Sequence, residues 1–181
     1  MKLIPLNIFQ TWHTKHLEPE MEQAVNQLKL DNPEFKHYLY DYEQCRKFIA
    51  KYFDYNVLAA FDGLIPGAYK ADLWRYCVLY IHGGIYLDIK FVSENRFKLL
   101  HLTDKEYFIL DKPNPNPKMG LSTWIPGKNG IYNGLMVCKP KNHIPEYVST
   151  TNAITLIKGN HENVLEIESN LSLISKFLIK I

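Results

Sequence analysis

Three charged residues, Asp72, Arg75 and Asp88, stand within or at the end of the most apolar stretch of the chain, PGAYKADLWRYCVLYIHGGIYLDIK, residues 66–90. From Ala68 to Ile81 the only other charge is Lys70, while Leu73, Trp74, Cys77, Val78, Leu79 and Ile81 surround the axis as a buried helix requires. Asp72 and Arg75 are three residues apart and so share a face. Charges carried into an interior are costly unless they are paired or used to bind something. A structural salt bridge would satisfy that demand, and so would a charged ligand site. The residues after the helix favour the ligand site. Gly83-Gly84 marks a helix stop, where positive φ costs glycine little, and Ile85-Tyr86-Leu87 has the β-branched and aromatic residues of a buried strand. Asp88 then falls at the strand's carboxyl end, where open α/β sheets collect their ligands, and a carboxylate there is placed to meet a metal, a ribose or a diphosphate. Strand alternation predicts Asp88 and Lys90 on one face and Ile89 on the other.

The elements that would position these groups can be read coarsely along the chain. Residues 4–10 and 35–40 form strands on either side of a helix over 18–30, with Asp31-Asn32-Pro33 as the turn between helix and second strand. A helix comes next over 43–52, and short buried strands are expected at 107–110 and 135–137. Between those strands, KPNPNPKMG carries Pro113, Pro115 and Pro117, which prohibit helix and favour an extended segment. With Trp124 beyond it, this loop either closes over a ligand or is an uninvolved surface loop. Two further helices are expected over 145–158 and 164–181.

Length and composition suit one globular domain, since 181 residues lie near the usual single-domain range and 46% hydrophobic content can fill a core. Twelve tyrosines and nine phenylalanines fit either a carbohydrate handler, whose sugars stack on rings, or simply an aromatic core. A net charge of +2 gives no field that would favour nucleic acid. Cys45, Cys77 and Cys138 show no CxxC spacing, which indicates buried free thiols in a reducing compartment rather than zinc ligands. No HxxxH pair occurs, and His13 and His16 suit an ordinary surface. The apolar run at the N-terminus is cut short by Pro5 and does not suit a signal peptide, and no stretch approaches a membrane span.

In the segments IPLNIFQTWHT, KADLWRYCVLYIHGGIYLDIK and YNGLMVCKPKNH, in that order from residue 4 to about 145, the chain resembles glycosyltransferases of the sugar-binding-region type containing a DXD motif. That family is related to yeast α-mannosyltransferases of the Golgi and, more remotely, to the clostridial glucosylating toxins. The resemblance implies an α/β fold, a GT-A-like, Rossmann-type mixed sheet flanked by helices, forming a single domain over 1–181. It implies transfer of a sugar from a UDP- or GDP-sugar donor to a glycan or protein acceptor with retention of anomeric configuration. Carried over by position, Asp72 and Arg75 would hold donor-sugar hydroxyls, and Asp88 would be the first carboxylate of DXD, the metal ligand, completing a catalytic trio. Phe9, Gln10, Thr11 and Trp12 would hold the nucleoside at the exit of the first strand, and Tyr86 and Asn133 would line the donor site.

One position departs from the motif, because Lys90 occupies its second acidic place. Lysine cannot ligate Mg²⁺ or Mn²⁺, which take oxygen ligands, but its charge could sit against the diphosphate directly. Weakened or absent metal dependence is therefore expected. Beyond about residue 144 the resemblance thins, so 145–181 is expected to be divergent or truncated. Without an export signal the chain is expected to be cytoplasmic or a soluble fragment of a secretory-pathway protein. Two alternatives to an active transferase stay open: an inactive relative that binds nucleotide-sugar or glycan as a partner or scaffold, and a purely structural α/β module.

Overall fold

The computed structural model describes residues 3–110 and 131–142, in which strands and helices alternate from the start. Strand β1 (Asn7–Thr11) leads through helix α1 (Pro19–Asp31) to strand β2 (Lys36–Tyr40). Helices α2 (Tyr42–Tyr52), α3 (Tyr55–Gly63) and α4 (Gly67–His82) precede strand β3 (Gly84–Leu87), and strands β4 (Tyr107–Leu110) and β5 (Ile131–Cys138) come after it. Together the strands make one mixed sheet in the order β2-β1-β3-β5-β4. Strand β1 pairs in parallel with β2 on one side and β3 on the other, while β5 runs antiparallel to both β3 and β4. The chain thus leaves β1 in one direction and returns to its opposite side, which makes the carboxyl ends of β1 and β3 a strand-order switch point.

Alternating side chains divide the core in two. Ile8, Ile85, Leu87, Leu135 and Val137 meet Leu28 of α1 on one face. Phe9, Tyr86, Met136 and Cys138 meet α2, α3 and α4 on the other, where Ile49, Leu73, Trp74, Val78 and Leu79 are fully buried. Helix starts reflect local chemistry. Pro19 opens α1, Asp41 and Gln44 close a reciprocal capping box on α2, and the Asp54 carboxylate accepts from the N–H groups of Asn56 and Val57 at the start of α3.

Several sequence expectations shift. The first strand begins at Asn7 rather than Ile4, because the Ile4 N–H is taken by the Thr103 carbonyl at 3.1 Å outside the sheet. Strand β5 runs for eight residues where three were expected. Helix α3 was not foreseen at all, since YNVLAAFDG buries only Val57 and Phe61 and shows no clear apolar stripe. Gly83 does stop α4, with φ 59° and ψ −179°, a region beyond the ordinary left-handed helix and open almost only to glycine. The proline-rich loop, Trp124 and the helices expected over 145–158 and 164–181 lie outside the described residues. Among the described residues no helix is long and apolar enough to cross a membrane.

Candidate active site

Helix α4 runs back along the sheet before β3 returns, so residues near the start of α4 come to lie beside the end of β3. That geometry brings Asp72 and Arg75 to Asp88. The Arg75 guanidinium sits 3.0 Å from Asp72 Oδ1 and 3.4 Å from Asp88 Oδ1. Its side chain is only 5% exposed, against 15% for Asp72 and 44% for Asp88, so the arginine is the floor and the carboxylates are the lip.

Strand β5 supplies the third wall. The Asn133 carbonyl accepts from Arg75 Nη1 at 2.6 Å, and Asn133 Nδ2 donates to Asp72 Oδ1 at 3.1 Å and lies 3.4 Å from the Tyr76 hydroxyl. Both contacts on Asp72 fall on Oδ1, which leaves Oδ2 without a partner among the described residues. All three Arg75 nitrogens are engaged within the protein, Nε donating to the Ala71 carbonyl at 3.3 Å, Nη1 to the Asn133 carbonyl, and Nη2 making the ion pairs with Asp72 and Asp88. Arg75 therefore holds the cluster together more than it faces outward.

Tyr86 lies beneath the cluster with its ring under the guanidinium, 4.4 Å from the centroid, and its hydroxyl donates to Asp88 Oδ1 at 2.9 Å. Burial drives the Tyr86 phenol well above its ordinary range, against the pull of Arg75, so it stays a protonated donor. Burial also raises Asp72, with Arg75 opposing and the Asp88 charge reinforcing. Burial works to lower Arg75, but Tyr86, Asp88 and Asp72 outweigh it and the guanidinium is held charged. One cation thus stands between two carboxylates in a half-buried setting.

Other expected site residues fall differently. The Gln10 amide, fully buried, donates to the Asp88 carbonyl at 3.1 Å and tethers the end of β1 to the exit of β3, with its oxygen 2.7 Å from His37 Nε2. Phe9 is buried and stacks on Tyr38 at 5.1 Å, and the Thr11 hydroxyl donates to the Tyr40 carbonyl at 2.8 Å, so both serve the core. Trp12 is half-buried against His13 at the rim. The strand expected to alternate Asp88 and Lys90 onto one face stops short of both residues. β3 ends at Leu87, the Phe91 N–H closes a turn on the Asp88 carbonyl at 3.1 Å, Ile89 is buried and Lys90 is exposed.

Gly134 and Tyr76 were not singled out by sequence reasoning. The Gly134 carbonyl accepts from the Asp88 N–H at 2.9 Å, and a Cβ at Gly134 would stand 2.5 Å from the Tyr132 hydroxyl and 2.8 Å from Asp88 Oδ2. A glycine in a strand interior signals such a close approach, and Tyr76, four residues beyond Asp72, shares its helical face. Among the described residues no group of three His, Cys, Asp or Glu side chains could hold a metal ion. The donor set at the rim fits poorly with a protein-ligated divalent cation, since Asp88 is the one motif carboxylate and its Oδ1 already has two partners.

A mixed sheet flanked by helices, with a charged cluster at its strand-order switch point, defines the class of open-sheet α/β proteins. Within it, the sequence model of the glycosyltransferase sugar-binding region containing the DXD motif matches residues 18–109, just over half of the 181-residue chain, and the chain belongs to that family. Similar proteins include inositol phosphoceramide mannosyltransferase 3 of Schizosaccharomyces pombe, 36% identical over 87 residues, covering 48% of this chain and 24% of that protein. The initiation-specific alpha-1,6-mannosyltransferase of Candida albicans is 34% identical over 98 residues, covering 51% of this chain and 26% of that protein. The match spans about a quarter of the length of each of these relatives. A solved PaToxG glycosyltransferase structure is similar with a TM-score of 0.47 and 16% identity, over 77% of this chain and 56% of that one.

Proposed function

We propose that this protein transfers a sugar from a nucleotide-sugar, UDP- or GDP-linked, to a glycan or protein acceptor, with retention of anomeric configuration. The observation that supports it best is the convergence of Asp72, Arg75, Asp88 and Asn133 from three elements at the strand-order switch point. Mannose is the first sugar to test, since two similar proteins carry mannosyltransferase names.

In this proposal Asp72 Oδ2 and the exposed part of Asp88 accept hydrogen bonds from donor-sugar hydroxyls, and charged acceptors make such bonds roughly twice as strong as neutral ones. Arg75 keeps the two carboxylates apart at a set distance, which fixes the anomeric carbon for attack. As the bond from sugar to diphosphate breaks, negative charge gathers on the leaving phosphate and oxocarbenium character on the sugar. The carboxylates face the second of these charges. Lys90, exposed just beyond Asp88, has the reach and sign to meet the first.

Activity is tested by hydrolysis and transfer from a panel of UDP- and GDP-sugars with Asp72→Ala alongside. Turnover that survives Asp72→Ala would refute the site. Donor affinity with and without Mn²⁺ tests weak metal dependence, which the poor donor set at Asp88 supports, and a large metal-driven gain would overturn it. A second reading, a relative that binds donor without turning it over, draws on the same replacement at Lys90. It predicts donor binding by calorimetry with no product.

A further inference from the structure

On the outer side of β2 lies an open cavity of about 590 Å³ whose lining shares no residue with the Asp72–Arg75–Asp88 cluster. Its size falls within the range of small-ligand sites, roughly 300–1,000 Å³. Gln44, Lys47, Phe48, Lys51 and Tyr52 border it from α2, Tyr38 and Tyr40 from the edge strand, and His82 from the end of α4. His82 is ten residues along α4 from Asp72, which puts that end of the cavity roughly 15 Å from the cluster at 1.5 Å per residue, while Tyr40 at the other end packs on Trp74 at 4.8 Å.

The spacing on α2 explains the lining. Gln44, Lys47, Phe48, Lys51 and Tyr52 repeat at three and four residues and so share one helical face. That face is aromatic below and cationic above. Phe48 meets Tyr52 at 4.8 Å and 44°, His82 at 5.6 Å and 55°, and Tyr40 at 6.2 Å and 85°. Rings that lean on one another in this way build a continuous wall. They do not form two parallel faces with a slot between them, which a planar nucleobase would fill. Lys51 lies over the Tyr52 ring at 4.8 Å, and Lys47, 71% exposed, is paired with Glu43 at 2.5 Å on the outer surface. Among the described lining residues there is no carboxylate, although Glu43 borders Lys47. Burial lowers His37 to about 4 and also lowers His82, so the positive charge of the cavity at neutral pH comes from Lys51 and from Lys47, whose charge is shared with Glu43.

We propose that this groove between α2 and β2 is a second carbohydrate site that takes an anionic saccharide, with a sugar face against the Phe48–Tyr52 wall and a phosphate on Lys47 and Lys51. Tyr52, the exposed ring of that wall, offers an apolar surface to the C–H face of a pyranose, and Lys47 and Lys51, one helical turn apart on α2, receive a phosphate as point charges once Lys47 exchanges Glu43 for it. The site stands on its own geometry. That it anchors a phosphorylated acceptor or product during transfer rests on the proposed glycosyltransferase activity.

Binding of glucose 6-phosphate, glucose and inorganic phosphate to the full chain, without donor, is measured by calorimetry or ligand-observed NMR. Glucose 6-phosphate is expected to bind more tightly than either component. The Lys47→Ala/Lys51→Ala double variant, altered only at exposed positions, should weaken it at least tenfold towards the affinity of glucose, and Tyr52→Ala should weaken it towards that of phosphate. Asp72→Ala should leave it unchanged. Loss of binding in Asp72→Ala would assign the saccharide to the rim cluster and overturn the second site. Equal affinity for inorganic phosphate, indifference to the lysine variant, or no binding of the sugar phosphate would overturn it as well. Because no donor is present, failure here is separable from failure of the transferase activity, which the Asp72→Ala turnover assay reads.

Discussion

Arg75 carries the greatest electrostatic burden of any residue in the site. It is 5% exposed, it pairs with both Asp72 and Asp88, and its Nη1 holds the Asn133 carbonyl. Removing one partner of a buried ion pair costs about 3–5 kcal/mol, because the charge left behind has been desolvated without compensation. Arg75→Met is therefore expected to lower stability by that amount in urea unfolding, and a change under about 1 kcal/mol would show that the carboxylates find other partners. Arg75→Lys should recover little, since an ammonium cannot reproduce the fork that spans two carboxylates and a carbonyl. Tyr86→Phe probes a different quantity. It keeps the ring beneath the guanidinium and deletes only the hydroxyl that donates to Asp88. Urea unfolding should show a loss of about 1.5–3 kcal/mol, the worth of a hydrogen bond to a charged group, and donor affinity should fall as well because Asp88 loses the contact that orients it. A loss of stability with donor affinity unchanged would mean that the hydroxyl is only a core contact.

At the scale of elements, the site depends on how closely β5 approaches the exit of β3. Gly134 sets that distance, because an added methyl would meet the Tyr132 hydroxyl at 2.5 Å and Asp88 Oδ2 at 2.8 Å. Gly134→Ala is expected to cost about 1–3 kcal/mol through overpacking and to shift Asp88, so that donor binding falls further than stability alone explains. Gly63, the last residue of α3, is the control. Nothing lies within 4 Å of a Cβ built there, so Gly63→Ala should be neutral or stabilising by about 0.4–1 kcal/mol. Thermal melts of the two variants side by side check both, and indistinguishable melts would remove the close approach as the cause. Helix α3 itself shows why elements can escape pattern reasoning. Asp54 caps it, but its few buried residues leave no periodic stripe in the sequence.

For the molecule as a whole, pH sensitivity should begin at His37, which joins the edge strand to the sheet through Gln10. Burial, with Lys29 adding repulsion, lowers its pKa from 6.5 to about 4. The folded state therefore binds fewer protons than the unfolded chain between those values, and stability rises with pH across that window. Acidification from pH 6.5 towards 4 should cost about 1.4 kcal/mol per unit, roughly 3 kcal/mol in all, and the loss should end near the folded value. His37→Gln should flatten that slope in urea titrations at several pH values. An unchanged slope would move the sensitivity to another group.

Much of this protein could be told from its residue order alone. The apolar run from Ala68 to Ile81, the Gly-Gly stop and the strand after it marked a buried helix returning into a sheet, because periodicity and glycine chemistry are local properties. The charges that such an interior cannot carry idly, Asp72 and Arg75, were marked by the same reasoning. What folding alone decided was distance. β3 ends at Leu87 and the chain turns at Asp88, and β5 arrives from a distant part of the chain to set Asn133 on Asp72. The groove on the far side of β2 is likewise absent from any one segment, since its wall exists only where α2, the edge strand and the end of α4 meet. Hydrophobic pattern determines which face of an element is buried, but only packing in three dimensions determines which polar groups end within a hydrogen bond of one another.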